Sequence, residues 1–270
     1  MKAMVRRILP ASLLSLVDLR SEMRSLETTG RQTVDAAALR RSVPEFRQVD
    51  LTSEWDAVKR RLEPSTIAAK GGAVNPGDRR AIYYLARTLK PRTILEVGTH
   101  LGASTSMLAL ALRDSNVASP RLITVDIADV NGPQGPWARL GSKYSPKALM
   151  RALDCDFVEF VVSPSLDFLQ QCVSRFDLIF LDGGHEAQTV YQEVPAALKV
   201  LNKDGLILLH DFYPNCEPLW SDGTVVPGPW LAIERLQKEG ARIKAEPLGV
   251  LPWPTKRNSN VTSLACLVAA

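Results

Sequence analysis

Short apolar runs rich in β-branched residues alternate along the chain with longer segments in which apolar residues recur every three or four positions. The short runs are typical of buried strands, and the longer segments are typical of helices that pack on a sheet. Strands are predicted at residues 94–97, 122–125, 158–162, 176–181, 206–209, 243–248 and 264–268. Helices are predicted between them at 103–112, 146–153, 166–173, 187–201 and 230–239. This alternation predicts an α/β fold built on a mostly parallel sheet.

The first part of the chain, residues 1–70, has helical periodicity and no predicted strand. We therefore expect an N-terminal helical extension over 1–70 and a sheet domain over 71–270. The extension is suited either to cap the substrate side of the domain or to form a homodimer contact, and the pattern does not choose between them. A helix is also predicted just before the first strand, with Asn75 as its N-cap and Pro76 in its first turn.

Composition excludes several classes of function. The net charge of +4 is mild, and no basic run is interleaved with aromatic residues, so nucleic acid is not an expected partner. No stretch reaches the ~20 apolar residues that a transmembrane helix needs. The four cysteines (155, 172, 216 and 266) are scattered without metal-ligand spacing, which is typical of reduced thiols. We expect a cytoplasmic protein.

The first predicted strand ends in a glycine turn that opens a helix. The turn reads Glu96-Val97-Gly98-Thr99-His100-Leu101-Gly102, an ExGxxxG pattern that differs from the GxGxxG of dinucleotide-binding proteins. In parallel sheets, ligands bind at such turns, where glycine lets the backbone come close and the helix N-terminus favours negative charge. Asp126 ends the next strand, 24 residues after Gly102, at the distance expected for a ribose-binding carboxylate.

Two neighbouring predicted strands also end in polar residues. The strand at 176–181 is followed by Asp182-Gly183-Gly184-His185, and the strand at 206–209 is followed by His210-Asp211. Because the carboxyl ends of parallel strands lie at one edge of a sheet, we expect these side chains to lie near the glycine turn.

Together these motifs resemble those of the S-adenosylmethionine (SAM) dependent methyltransferases of the Rossmann-like class, especially the bacterial small-molecule O-methyltransferases with DGxH and HD motifs. The resemblance covers roughly residues 75–270. It implies a doubly wound sheet of seven strands, mostly parallel with the last strand antiparallel. It also implies that SAM is bound by nine residues: Glu96, Gly98, Thr99, Gly102, Ser104, Asp126, Ile127, Ser163 and Asp182.

The implied reaction moves a methyl group from SAM to a hydroxyl oxygen of a small molecule. His185 is the expected general base, because imidazole accepts a proton near neutral pH, and Asp182 and Asp211 complete the expected catalytic set. In catechol-type relatives the two aspartates bind a divalent metal such as Mg²⁺, together with a further acidic or amide residue after the second. Here that residue is Phe212, which cannot act as a ligand. His210 could substitute as a ligand or equally face away, so metal-dependent and metal-free mechanisms both remain open.

Three other functions are compatible with the same motifs. An N-methyltransferase acting on a small amine would need less activation of its acceptor. An oxidoreductase would bind NAD in the same crevice, against the spacing of the glycines. A non-catalytic SAM-fold protein would act through a partner, although the polar strand ends argue against that function.

Overall fold

The computed structural model describes residues 11–63, 74–256 and 258–270, with side chains from residue 19 onward. Seven strands form one sheet: β1 (Thr93–Val97), β2 (Arg121–Asp126), β3 (Val158–Val162), β4 (Phe176–Leu181), β5 (Leu201–Leu209), β6 (Ile243–Pro247) and β7 (Ala265–Ala269). Their order is β3-β2-β1-β4-β5-β7-β6. Strands β1 to β5 are mutually parallel, and β7 is antiparallel to both β5 and β6. The predicted mostly parallel sheet with an antiparallel last strand is confirmed.

Helices cover both faces of this sheet. They are α1 (Ala11–Glu27), α2 (Thr52–Leu62), α3 (Pro76–Leu89), α4 (Ala103–Asp114), α5 (Pro136–Arg139), α6 (Pro146–Ala152), α7 (Ser165–Gln171), α8 (Ala187–Lys199) and α9 (Gly228–Lys238). Buried residues of α3, α4 and α6 form one core with the sheet, and those of α7, α8 and α9 form the other. The predicted boundary between extension and domain, at residues 70 and 71, lies outside the described residues.

Strand β4 shows why the short apolar runs became central strands. Leu178 and Phe180 face one core, whereas Ile179 and Leu181 face the other, because successive side chains of a strand point to opposite faces. A parallel strand covered by helices on both faces is therefore apolar along its whole length.

The start of α3 follows the prediction. The side chain of Asn75 accepts a hydrogen bond from the backbone N–H of Asp78 at 2.9 Å, and Pro76 occupies the first turn. This cap satisfies one of the backbone donors that a helix N-terminus leaves free. It also fixes the first turn of α3 beside the carboxyl end of β5, which brings Asp78 close to His210.

Strand β5 differs from its predicted bounds. A strand was predicted only at 206–209, but β5 begins at Leu201 and contains a bulge where its register with β4 shifts. The amide of Asn202 donates to Asp177 Oδ1 at 2.7 Å, which holds the bulged segment against β4. The bulge accommodates Asp204, a residue type common in turns, with a backbone φ of +60°.

The N-terminal extension packs onto the domain rather than forming a separate core. Helix α1 lies against α8 and α9, and Arg235 of α9 donates to the backbone oxygens of Leu26 and Thr29 at the end of α1. On the opposite face, Trp55 of α2 contacts the rings of Tyr83 and Tyr84 of α3. The predicted homodimer contact stays a prediction, as does the cytoplasmic location. None of the described helices is long and apolar enough to span a membrane.

Candidate active site

A cleft of about 660 Å³ opens at the carboxyl ends of β1, β2, β3 and β4. Its walls come from the turns that follow these strands and from the first turns of α4, α7 and α8. Seven of the predicted cofactor-binding residues line it: Gly98, Thr99, Ser104, Asp126, Ile127, Ser163 and Asp182. His185, the predicted base, lines the same cleft. The sheet therefore brings the glycine turn and the strand-end residues together, as the strand order predicts.

Gly98 allows the turn after β1 to lie against the end of β4. Its φ is +98°, and a Cβ at this position would lie 2.2 Å from the carbonyl oxygen of Asp182. Only glycine fits both the backbone angle and the close approach. The second glycine, Gly102, has a different place: it precedes α4 with φ +75° and packs against Pro146 rather than lining the cleft.

The carboxylate of Asp126 holds the glycine turn to the end of β2. Its Oδ2 accepts from the backbone N–H groups of Thr99 at 3.1 Å and His100 at 2.9 Å, and its Oδ1 accepts from Ala128 at 2.9 Å. A carboxylate has about four acceptor positions, so Asp126 keeps capacity for a hydroxyl group in the cleft. The residue thus organises the turn and still faces the ligand space.

Glu96 lies behind the cleft wall and is fully buried. Its Oε2 accepts from Thr105 at 2.5 Å and Thr124 at 2.6 Å, which ties β1 to α4 and β2. Its Oε1 has no hydrogen-bond partner among the described residues. Burial raises the pKa of Glu96 to about 7. Hydrogen bonds from the hydroxyls of Ser104, Thr105 and Thr124 act in the opposite direction and lower this pKa, but burial outweighs them. Contact of Glu96 with a ligand stays a prediction.

His185 and Asp211 form a pair at the rim of the cleft. His185 Nε2 lies 3.6 Å from Asp211 Oδ2, and the imidazole is 40% exposed while the carboxylate is 21% exposed. Asp211 has φ +52°, which is uncommon for a residue with a side chain. Backbone strain of this kind concentrates at functional sites, where it fixes the direction of a side chain. The geometry places a proton acceptor at the cleft with a carboxylate behind it.

The loop that carries His185 is held from two sides. The carboxylate of Glu22 in α1 accepts a hydrogen bond from the backbone N–H of Ala187 at 2.6 Å. At the start of α9, Gly228 packs so closely that a Cβ there would lie 1.9 Å from the carbonyl oxygen of His185. The extension and α9 therefore both determine where this loop sits.

Sequence reasoning missed Asp78, a buried partner of the strand-end residues. His210 Nδ1 lies 2.9 Å from Asp182 Oδ1 and 3.5 Å from Asp211 Oδ1, and its Nε2 lies 3.4 Å from Asp78 Oδ2. Neither ring nitrogen makes a well-aligned hydrogen bond, so attraction between charges dominates these contacts. Burial by itself lowers the pKa of His210, but the carboxylates of Asp182 and Asp211 outweigh it and raise the pKa well above its usual value.

The predicted metal ligands do not form a site that fits a divalent cation. Mg²⁺ prefers six oxygen ligands, but the imidazole of His210 contacts both Asp182 and Asp211. Phe212 is buried against Trp230, with the ring centroids 5.4 Å apart. Within the part of the chain that the structure describes, no three His, Cys, Asp or Glu side chains are grouped to hold a metal.

Comparison with known proteins agrees with the fold. Residues 95–212 match a family model described as a methyltransferase domain. A curated relative, the O-methyltransferase hkm8 of Aspergillus hancockii, is 26% identical over 139 residues, which make up 52% of this chain and 50% of that protein. The chain thus spans about half the length of the curated relative that it matches.

Solved structures show the same architecture. The O-methyltransferase from Bacillus cereus, in complex with SAH, gives a TM-score of 0.53 at 20% identity and covers 82% of this chain and 93% of its own. The O-methyltransferase TomG from Streptomyces achromogenes, in complex with SAM, gives a TM-score of 0.53 at 17% identity and covers 84% and 92%. At such identities the likeness shows the fold. The chain therefore has the fold of these O-methyltransferases, and residues 95–212 within it match a methyltransferase domain.

Proposed function

We propose that this protein transfers a methyl group from SAM to a hydroxyl oxygen of a small molecule, with His185 as the general base. The observation that carries the proposal is the position of His185 on the same cleft as Gly98, Asp126 and Asp182. The O-methyltransferase names of the relatives support oxygen over nitrogen as the acceptor atom.

The cleft suits SAM in size and in the chemistry of its walls. Its volume lies within the range of small-molecule sites, roughly 300–1,000 Å³. Asp126 lines the cleft and can accept from ribose hydroxyls. Ile127 is 76% exposed on the cleft wall and offers an apolar surface to an aromatic base. When bound, SAM supplies a methyl group that is activated by a sulfonium centre.

The chain's own residues then have to align the acceptor and take its proton. His185 accepts the proton of the hydroxyl group as the oxygen attacks, and the carboxylate of Asp211 stabilises the imidazolium that forms. His210 neutralises Asp182 and Asp211 in part, since it lies between them. No step requires a metal ion, and the acceptor is activated by base catalysis and by alignment in the cleft.

Ligand binding tests the proposal directly. We expect calorimetry to show binding of SAM and of SAH to the full chain and no binding of NAD. The glycine turn and Asp126 suit a nucleoside, but the ExGxxxG spacing lacks the fingerprint of a dinucleotide site. Binding of NAD without SAM would show an oxidoreductase instead. SAM binding without turnover of any hydroxyl acceptor, but with turnover of amines, would identify an N-methyltransferase.

Chelation tests the metal-free mechanism. Treatment with EDTA is expected to leave methyl transfer unchanged, because His210 contacts both carboxylates that the catechol-type relatives use as ligands. Turnover is measured before chelation, after chelation and after addition of Mg²⁺. A loss of turnover that Mg²⁺ restores would contradict the metal-free mechanism and would return Asp182 and Asp211 to the role of ligands.

A further inference from the structure

The contact between Glu22 and the first residue of α8 joins two elements that are far apart in the chain. The carboxylate of Glu22, in the second half of α1, accepts a hydrogen bond from the backbone N–H of Ala187 at 2.6 Å. Among the described residues, the N-cap residue of α8, Glu186, makes no cap bond with its own side chain. The first N–H groups of a helix have no partner within it, and their positive partial charge favours a carboxylate. Glu22 therefore supplies the cap of α8 from the N-terminal extension.

The capped end of α8 belongs to the wall of the cleft. His185, Glu186 and Thr189 line the cleft, and Ala187 lies among them in the chain. Glu22 is half-buried and is not part of the described cleft lining. Its carboxylate therefore influences the cleft through the start of α8 and not by touching a ligand.

The direction of the His185 imidazole depends on how its loop is held. The two residues before it, Gly183 and Gly184, give the backbone wide conformational freedom. The imidazole is 40% exposed and lies 3.6 Å from Asp211, so few side-chain contacts fix its direction. Gly228 of α9 packs against the carbonyl group of His185. A second fixed point at the next turn of the chain is needed to hold the backbone on both sides of the imidazole.

The end of α1 is anchored by contacts that do not involve Glu22. Arg235 of α9 donates a hydrogen bond to the backbone oxygen of Thr29 at 2.7 Å. The hydroxyl of Tyr191 in α8 accepts from the backbone N–H of Gln32 at 3.0 Å. Because these contacts hold the segment that follows α1, loss of the Glu22 side chain should leave α1 docked and should release only the start of α8.

We propose that Glu22 is a positioning residue for methyl transfer, which caps α8 from the N-terminal extension and so holds His185 in its working direction. The proposal rests on the proposed role of His185 as the general base. The distance between a base and the proton that it takes is critical, and a displacement of about 1 Å can lower a rate on the order of 10²-fold. The extension thereby contributes to the reaction from outside the cleft.

Nuclear magnetic resonance of the imidazole nitrogens tests this placement without an acceptor substrate. The chain has three histidines, so the signals of His185 are assigned by their loss in His185→Ala. In Glu22→Ala of the full chain, we expect the His185 signals to shift and their response to added SAH to change. The signals of His100 and His210 should stay in place. In Glu22→Gln the amide oxygen can accept the same hydrogen bond, so the His185 signals should stay close to those of the wild type.

Steady-state kinetics with a hydroxyl acceptor give the second readout. We expect Glu22→Ala to lower kcat by about tenfold with little change in KM for SAM, because the turns after β1 and β2 are not altered. Glu22→Gln should keep most of the wild-type kcat. When Glu22→Ala is made in the His185→Ala variant, kcat should fall little further, because the imidazole that Glu22 positions is already missing.

The matched control is Glu27→Ala, which removes an exposed carboxylate from the same helix. It should leave the His185 signals and kcat unchanged. Unchanged His185 signals or a kcat within twofold of the wild type in Glu22→Ala would overturn the inference. Equal effects of Glu22→Ala and Glu22→Gln, equal effects in Glu27→Ala, or losses that add fully to those of His185→Ala would overturn it as well. Absence of SAH binding in the wild type would instead overturn the proposed function. Thermal unfolding shows whether each variant is folded.

Discussion

Replacing His185 by alanine is expected to lower kcat by about 10²–10⁴-fold, the usual contribution of a general base. The imidazole lines the cleft, and the described cleft lining contains one other histidine, His100, which belongs to the glycine turn. Steady-state kinetics with a hydroxyl acceptor measure kcat and KM, and calorimetry measures SAH affinity. The loss should fall mainly on kcat, because the proton is transferred in the reaction and not during binding.

Asp211 provides the control for this prediction. If the carboxylate of Asp211 acts through the imidazole, Asp211→Asn alone should lower kcat. The same substitution made in the His185→Ala variant should lower kcat little further, because the imidazole is already missing. Near-normal turnover of His185→Ala would exclude the residue as the base. Losses that add fully in the double variant would show that Asp211 acts on the substrate independently of His185.

Replacing Gly98 by alanine is expected to reduce both stability and SAH affinity. The added Cβ would meet the carbonyl oxygen of Asp182 at 2.2 Å, and the backbone at φ +98° disfavours any side chain. We expect the free energy of unfolding to fall by roughly 2–5 kcal/mol, from left-handed backbone strain and overpacking together. SAH affinity should fall roughly tenfold or more, because both clashing segments line the cleft and small displacements are costly there.

Gly240 offers a matched control for this substitution. It has the same φ of +98°, but no atom lies within 4 Å of the position where its Cβ would be. Gly240→Ala should therefore lose only about 1–2 kcal/mol of stability, from backbone strain alone, and should bind SAH like the wild type. Chemical denaturation and calorimetry compare the two variants. Equal effects would mean that the contact between the glycine turn and the end of β4 has no influence on the site.

The parts of the site that could be predicted are those encoded locally. Glu96 to Gly102 make up a strand end, a turn and a helix start within a few residues, so their pattern suffices to indicate the turn. His185 and Asp211 could be placed near it, because parallel strands end at the same edge of a sheet. The cap of α3 by Asn75 is local in the same way, and the structure confirms it.

Other features depend on residues that are distant in the chain. The predicted strand at 206–209 omitted the first residues of β5, because Asp204 and Gly205 are typical turn residues. The contact that holds this segment against β4 joins Asn202 to Asp177, which is distant in the chain. Asp78 looked like an ordinary residue in the first turn of a helix. Its contact with His210 exists only because α3 packs beside the end of β5.

By itself, the sequence determined the periodicity of each element, the order of strands and helices along the chain, and the polar residues that end the strands. These follow from local rules of backbone geometry and hydrophobic burial. Only the tertiary structure decided which buried charged groups meet: Asp78 with His210, and His210 with both Asp182 and Asp211. Such contacts depend on how helices pack on the sheet. They join side chains of elements that are distant in the sequence, so they leave no periodic signal in the chain.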